Sequence, residues 1–247
     1  MNRFFLKGFW ALCAASLLAV NIAEANVVIT GTRVIYPAKE REVTVKLTNR
    51  DSSPALVQSW VDKGDPKTLP DQADAPFLVT PPIVRIEPGK GQALRLTYTQ
   101  ESLPQNKESV FWLNVLDVPS VPANKDAANY VQFAFRSRIK VFFRPDGLPG
   151  DAVEAAQGLR WTIVPSTGGY VLRALNSSAF HVSVNDAAIS LNGKSIRSQD
   201  SGMVAPGGSK DFALKGVGSP PVGEVKVVYH WVNDYGGVIE ETSPLGH

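Results

Sequence analysis

The chain has 247 residues, of which 25 are lysine or arginine and 23 are aspartate or glutamate, so its formal net charge is only +2. A charge this close to zero gives no general attraction to nucleic acid or to membrane surfaces. The single cysteine and three scattered histidines exclude a disulfide framework and disfavour a metal site built from thiols and imidazoles.

Residues 1–25 have the pattern of a secretory signal peptide. The basic residues Arg3 and Lys7 precede an apolar run, which ends at the small-x-small cleavage pattern Ala23-Glu24-Ala25. The alternative is a membrane anchor, although the apolar run is short for a span of about 20 residues. We therefore expect a mature chain that begins at Asn26, carries a net charge of +1 and contains no cysteine.

Short alternating strands follow the signal segment. The first stretch, Val27–Arg41, is a β-rich opening with a turn at Pro37. The strands after it are predicted at Glu42–Thr48, Ala55–Val61, Phe77–Val79, Ile83–Glu87, Gln92–Thr99 and Glu108–Val115. Turn-forming residues separate these runs, and no convincing helical period occurs among them. With the long run that comes next, this pattern is typical of an immunoglobulin-like sandwich.

The segment Asn129–Pro145 alternates over an unusual length. Its apolar residues share one parity and its basic residues share the other, which predicts one long strand. At roughly 3.3 Å per residue it would exceed 45 Å, whereas strands usually contain about five or six residues. If this strand lies at a sheet edge, it can pair with an incoming extended peptide.

A second β module is predicted after a linker at 146–150, which is rich in glycine and proline. Its strands are predicted at Leu159–Val164, Tyr170–Leu175, His181–Val184, Ala188–Leu191, Ser209–Leu214, Val225–Val232 and Val238–Glu241. The predicted division is therefore a signal peptide at 1–25, a first domain at 26–145 and a second domain at 151–247.

No phosphate-binding loop and no nucleophile motif occur in the sequence, so it indicates an exported binding protein without a cofactor. Two rival classes remain open. A fibre subunit, or another structural fimbrial or adhesion protein, would be expected to have one module that lacks a strand. A β-sandwich hydrolase would need two carboxylates about 5 to 9 Å apart in a cleft.

Seven segments, taken in this order, resemble the PapD-like family, the periplasmic chaperones of the chaperone–usher pilus pathway. They are TRVIYP, PPIVRIEPGKGQALRLTY, ESVFWLNVLDVP, RSRIKVFFRP, LNSSAFHVSV, GMVAPGGSKDFAL and HWVNDYGG. The resemblance implies two immunoglobulin-like domains set in an L around a cleft, in a non-enzymatic periplasmic chaperone. Such a chaperone donates its long edge strand to an incomplete pilus subunit and delivers that subunit to an outer-membrane usher. The free protein could also cover this strand by self-association.

By the same resemblance, Val131, Phe133 and Phe135 fill the groove of the subunit, and Arg33 and Lys140 bind its terminal carboxylate. The alternative for the three apolar residues is that they face the protein's own core. Lys140 has the opposite parity to Phe135, so a twist, a bulge or a cleft reached around the strand edge is needed to use both.

The resemblance also implies an interdomain charge cluster of Glu108, Arg144 and Asp234. In this arrangement, an arginine at the end of the long strand faces an acid from each domain and sets the angle between the domains. The alternative is that these are three solvated surface charges.

Overall fold

The computed structural model describes residues 27–119, 133–167, 169–191, 194–217, 223 and 225–246. Within them, β-strands form two modules, each with two sheets packed around its own core. This arrangement confirms the predicted class, which is all-β with two immunoglobulin-like sandwiches.

The first module holds nine described strands and a 3-10 turn at Pro70–Gln72. The strands are β1 (Val27–Ile29), β2 (Arg33–Pro37), β3 (Glu42–Asn49), β4 (Ala55–Asp62), β5 (Phe77–Thr80), β6 (Ile83–Ile86), β7 (Gly91–Tyr98), β8 (Ser109–Pro119) and β9 (Phe135–Arg144). One sheet has the order β1-β3-β7-β5, and the other has the order β2-β9-β8-β4-β6. Leu94, Leu113 and Val141 are fully buried between the two sheets.

The second module begins with a short helix, α1 (Ala152–Gln157), which Asp151 caps through its side chain. Its described strands are β10 (Arg160–Ser166), β11 (Gly169–Leu175), β12 (Val182–Leu191), β13 (Lys194–Arg197), β14 (Gly202–Val204), β15 (Ser209–Leu214), β16 (Lys226–Val232) and β17 (Val238–Pro244). Two sheets, β10-β11-β15 and β13-β12-β16-β17, enclose a core that contains Trp161, Phe212 and Tyr229.

The second module corrects three details of the sequence prediction. The two strands expected at 181–184 and 188–191 are the single strand β12, whose pairing with β16 shifts register between Val184 and Asp186. This irregularity interrupts the alternation, and for that reason the sequence pattern predicted two strands. Helix α1 and the short strands β13 and β14 were not predicted at all.

Candidate functional site

Strand β9 has a paired half and an open half. It pairs with β8 from Phe135 to Phe143 without a break in register. On its other side β2 runs parallel to it, but only from Lys140 to Arg144. Among the described residues, the edge of β9 between Phe135 and Ile139 therefore has no strand beside it. Unpaired backbone donors and acceptors of this kind are a template for another chain.

The apolar residues of β9 and of the segment just before it lie in two different environments. Val141 and Phe143 are buried in the core of the first module, and Ile139 packs against that core. Phe133 and Phe135, in contrast, are 65% and 43% exposed. The structure thus places these two aromatic side chains outside their own core. Val131, the third residue expected to fill the groove, lies outside the described residues.

Arg33 and Lys140 lie side by side, because they are register partners in the parallel pairing of β2 and β9. Both side chains reach the second module. An Nη1 atom of Arg33 donates to the carbonyl oxygen of Val232 at 2.7 Å, and Lys140 Nζ lies 3.0 Å from Ser183 Oγ. Ser183 and Val232 are themselves partners in the pairing of β12 with β16. A pair of cations from one domain therefore faces a pair of neutral polar groups from the other.

The environment of the two cations shifts both of their pKa values downward. Burial, followed by repulsion from Arg33, lowers the pKa of Lys140 from its ordinary value of 10.5 to about 8. Burial lowers the pKa of Arg33 as well, and the charge of Asp234 partly opposes that change. Two partly desolvated cations next to each other are stabilised by any anion placed between them. A carboxylate suits the site, because it accepts hydrogen bonds from both a guanidinium and an ammonium.

Lys140 and Phe135 lie at positions of opposite parity on β9, and the structure accommodates both without a bulge. The pairing of β8 with β9 is regular across both positions, so their side chains point to opposite faces of one sheet. The cations face the second module, and the exposed ring of Phe135 faces the other side. The strand can thus present a charged anchor on one face and apolar side chains on the other.

The structure brings Glu108, Arg144 and Asp234 together across the domain boundary. Arg144 Nε donates to Glu108 at 2.7 Å, and the two Nη atoms donate to Asp234 at 2.7 and 3.0 Å. Glu108 Oε2 also accepts the backbone N–H of His181 in the second module at 2.7 Å. Burial disfavours the charge of Arg144, but the hydrogen bonds and charges of Asp234 and Glu108 outweigh it and raise the pKa of Arg144.

Sequence reasoning missed Ser183 and Val232. Serine and valine are both ordinary residues on a strand, so neither indicates a functional site. The contact of Val232 is made by its backbone carbonyl, which does not depend on the residue type. Only the packing of the two modules brings these groups to the cations of the first module.

Two features, a metal-binding cluster and a membrane-spanning helix, were also sought in the described part of the chain. No group of three or more histidine, cysteine, aspartate or glutamate side chains is arranged to hold a metal ion within it. None of the described helices has the length and apolar character needed to cross a bilayer.

Comparisons with known proteins cover both modules. The family model "Pili and flagellar-assembly chaperone, PapD N-terminal domain" matches residues 26–149, and "Pili assembly chaperone PapD, C-terminal domain" matches residues 154–243. The "Probable fimbrial chaperone YadV" of Escherichia coli K12 is 40% identical over 246 residues, which cover 98% of this chain and 99% of that protein. The crystal structure of YadV chaperone aligns with a TM-score of 0.77 at 38% identity and covers 90% of this chain and 100% of that one.

A structure of the Salmonella enterica SafA pilin in complex with the SafB chaperone also aligns, with a TM-score of 0.72 at 28% identity. That match covers 89% of this chain and 96% of the other. These comparisons disfavour the structural-fimbrial and hydrolase alternatives. The relatives are described as chaperones, and the alignments cover nearly their whole length. The chain belongs to the PapD family of pilus-assembly chaperones, which are non-enzymatic assembly factors.

Proposed function

We propose that this protein is a periplasmic chaperone that captures pilus subunits by donating the open edge of β9, and that it delivers them to an outer-membrane usher. The mature chain would comprise domains at 26–145 and 151–247, joined by the linker 146–150. The proposal rests mainly on one observation, which is that the open edge of β9 ends where Arg33 and Lys140 lie side by side.

The direction of the captured strand follows from this geometry. Strand β2 occupies the edge of β9 from Lys140 onward and runs parallel to it. A subunit strand that lies on the open edge and runs in the same direction as β9 is collinear with β2. Its last residue therefore arrives at Arg33, the first residue of β2. The terminal carboxylate then lies between the two cations and fixes the register of the pairing.

The exposed aromatic side chains explain how the chaperone protects its client. A subunit that lacks one strand exposes an apolar groove and unpaired backbone groups, both of which promote aggregation. Strand donation fills the groove and satisfies the backbone hydrogen bonds in one step. Release to the usher then requires only a strand that fits the groove better, so no nucleotide is needed. The solved structure of the SafB chaperone in complex with the SafA pilin supports the proposal that the client of this protein is a pilus subunit.

The direct test is recovery of a tagged protein from the periplasm of cells that express pilus genes, followed by mass spectrometry. The proposal predicts a small subunit-like protein at a near one-to-one ratio. A quantitative test uses a fluorescent peptide, in which valine alternates with threonine and which ends in a free carboxylate. The same peptide with a terminal amide is its control. Failure to recover a subunit and failure to bind the peptide together contradict the proposal.

Replacement of the exposed rings should affect capture without affecting stability. In Phe133→Ser and Phe135→Ser, we expect recovery of the pilus subunit from the periplasm to fall by roughly tenfold or more, since each aromatic ring buried in the groove of the subunit contributes on the order of 2 kcal/mol. The melting temperature should stay within about 2 °C of wild type, because neither ring is buried in the free protein. The contrasting variant is Phe143→Ala, which removes a core ring and should lower stability by about 3 to 5 kcal/mol. Equal stability losses in all three variants would contradict the proposed role of the exposed rings.

Peptide binding should depend on the protonation of Lys140. Below pH 8 the free protein carries the ammonium, so binding of the carboxylate needs no proton. Above about pH 8 the free amine is neutral, and binding must take up a proton because the bound carboxylate favours the charged form. The dissociation constant should therefore be flat from pH 6 to 7.5 and should rise by up to tenfold per pH unit above pH 8. Lys140→Arg should remove this rise, since arginine stays charged. A flat profile for wild type up to pH 9.5 contradicts the assignment.

A further inference from the structure

Beside the open half of β9, the face of its sheet that points away from the core carries four connected polar residues, which we call the arginine cluster. They are Asp62 of β4, Asn114 of β8, and Arg136 and Arg138 of β9. The carboxylate of Asp62 has no exposed surface and accepts two bonds from Nη2 of Arg138, at 2.7 and 2.9 Å. Asn114 donates to Asp62 at 2.7 Å. Its carbonyl oxygen accepts from Arg138 Nε at 2.9 Å and from Arg136 at 2.7 and 3.0 Å. One amide and one carboxylate thus hold both guanidinium groups.

Two tryptophan rings complete the support of these guanidinium groups. That of Arg136 lies over Trp60 at 4.5 Å, and that of Arg138 lies over Trp112 at 5.0 Å. Stacking of this kind stabilises a partly desolvated cation. Arg136 also donates to two backbone carbonyls in the loop that follows β4, at 2.7 and 3.1 Å. The arginine cluster therefore connects β9 to β4, to β8 and to that loop.

The position of the arginine cluster on β9 indicates its purpose. The second half of the strand is held by buried side chains and by strands on both sides. The first half has β8 on one side only. Of its core-side positions, Phe135 is 43% exposed, Ser137 is small, and Ile139 alone packs against the core. Little apolar burial holds this half in place. Its opposite face, however, carries Arg136 and Arg138, whose side chains are only 23% and 18% exposed.

We infer that the arginine cluster is a positioning device, which keeps the open edge of β9 extended and in register with β8 while no subunit is bound. The inference rests on the proposed function, in which that edge receives the subunit strand. A binding segment that is already ordered loses less conformational entropy when the partner arrives, and its affinity is higher for that reason. The guanidinium groups of the arginine cluster reach toward β8 and β4, away from the open edge that would receive the subunit strand. The arginine cluster acts through the backbone of β9.

Amide hydrogen exchange in the free protein tests the positioning itself. Arg138→Met keeps the apolar stem but removes the bonds to Asp62 and Asn114. We expect those amides of Phe135–Ile139 that are hydrogen-bonded to β8 to exchange at least about tenfold faster, whereas the amides of Val141–Phe143 keep their wild-type rates. Arg138→Lys, which restores a cation to Asp62, should recover part of the protection. Arg173→Met, which breaks an exposed ion pair in the second module, is the control. Unchanged rates in Phe135–Ile139, or a uniform rise across the first module, overturn the inference.

The peptide pair defined above tests the link to capture. Because Arg138→Met raises the ordering cost of the strand and leaves the carboxylate anchor in place, it should weaken the carboxylate and amide peptides equally, by roughly tenfold. Wild-type affinity in this variant overturns the role of the arginine cluster in capture, and so does a loss confined to the carboxylate peptide. If wild type itself binds neither peptide, the proposed function is wrong, and the role of the arginine cluster in capture is wrong with it. The exchange result then reports on strand order alone.

Discussion

The double variant Arg33→Ala, Lys140→Ala should lose at least about 100-fold in affinity for the peptide that ends in a free carboxylate, because each charge-assisted hydrogen bond contributes about 1.5 to 3 kcal/mol. It should still bind the amidated peptide, since β-pairing and apolar contacts remain. The informative quantity is the ratio of the two affinities, measured by fluorescence anisotropy at pH 7. Wild type should prefer the carboxylate peptide strongly, and the double variant should show no preference.

The matched control for this variant is Lys63→Ala, Arg85→Ala, which removes the same charge from exposed ion pairs of the first module. It should bind both peptides as wild type does. Loss of the preference in the control would assign the effect to general electrostatics rather than to the anchor. In cells, the double variant should recover no subunit although it folds, as judged by circular dichroism. Recovery equal to wild type contradicts the anchor assignment.

Arg144→Met should produce the largest loss of stability at the domain boundary. The substitution leaves Glu108, whose side chain is 1% exposed, as a buried carboxylate without its main cation. Removal of one partner from a buried ion pair lowers stability by about 3 to 5 kcal/mol. We expect about 3 kcal/mol, because Asp234 is 31% exposed and regains solvent easily. Urea unfolding monitored by tryptophan fluorescence measures this change.

The control is again Arg173→Met, whose partner Asp211 is 43% exposed, so the expected loss of stability is much smaller. Equal losses in the two variants would show that the interdomain cluster is no stronger than a surface pair. A fluorophore pair, one on each domain, should also report a broader distance distribution in Arg144→Met, because the arginine joins acids from both domains.

Much of the fold could be predicted, because apolar and polar residues alternate along a strand that has one buried face and one exposed face. The segment around Phe135 and Val141 shows this most clearly. The prediction of one strand over Asn129–Pro145 was too long, however, because β9 begins at Phe135 and Phe133 lies before it. Helix α1 escaped prediction because it has only six residues, too few to show a helical period. Its cap, Asp151, was the only available signal.

The arginine cluster could not be predicted for a different reason. Asp62 and Arg138 are separated by 76 positions, and each alone is typical of a solvated strand face. Their contact depends on the register of β4 with β8 and of β8 with β9, which places Trp60 beside Asn114 and Asn114 beside Arg138. Register is a property of the assembled sheet, so one sequence does not reveal it.

The contacts of Arg33 with Val232 and of Lys140 with Ser183 have a mechanical consequence. A carboxylate that binds both cations competes for, or extends, hydrogen bonds that cross the domain boundary. If the proposed anchor binds a carboxylate, that binding and the domain angle are thermodynamically linked, and the linkage is reciprocal. If a bound subunit favours one angle between the domains, then a force that rotates the second domain away from that angle must lower the affinity for the subunit. In the proposed function, an usher that held one domain and rotated the other would thus release the subunit without touching the donated strand.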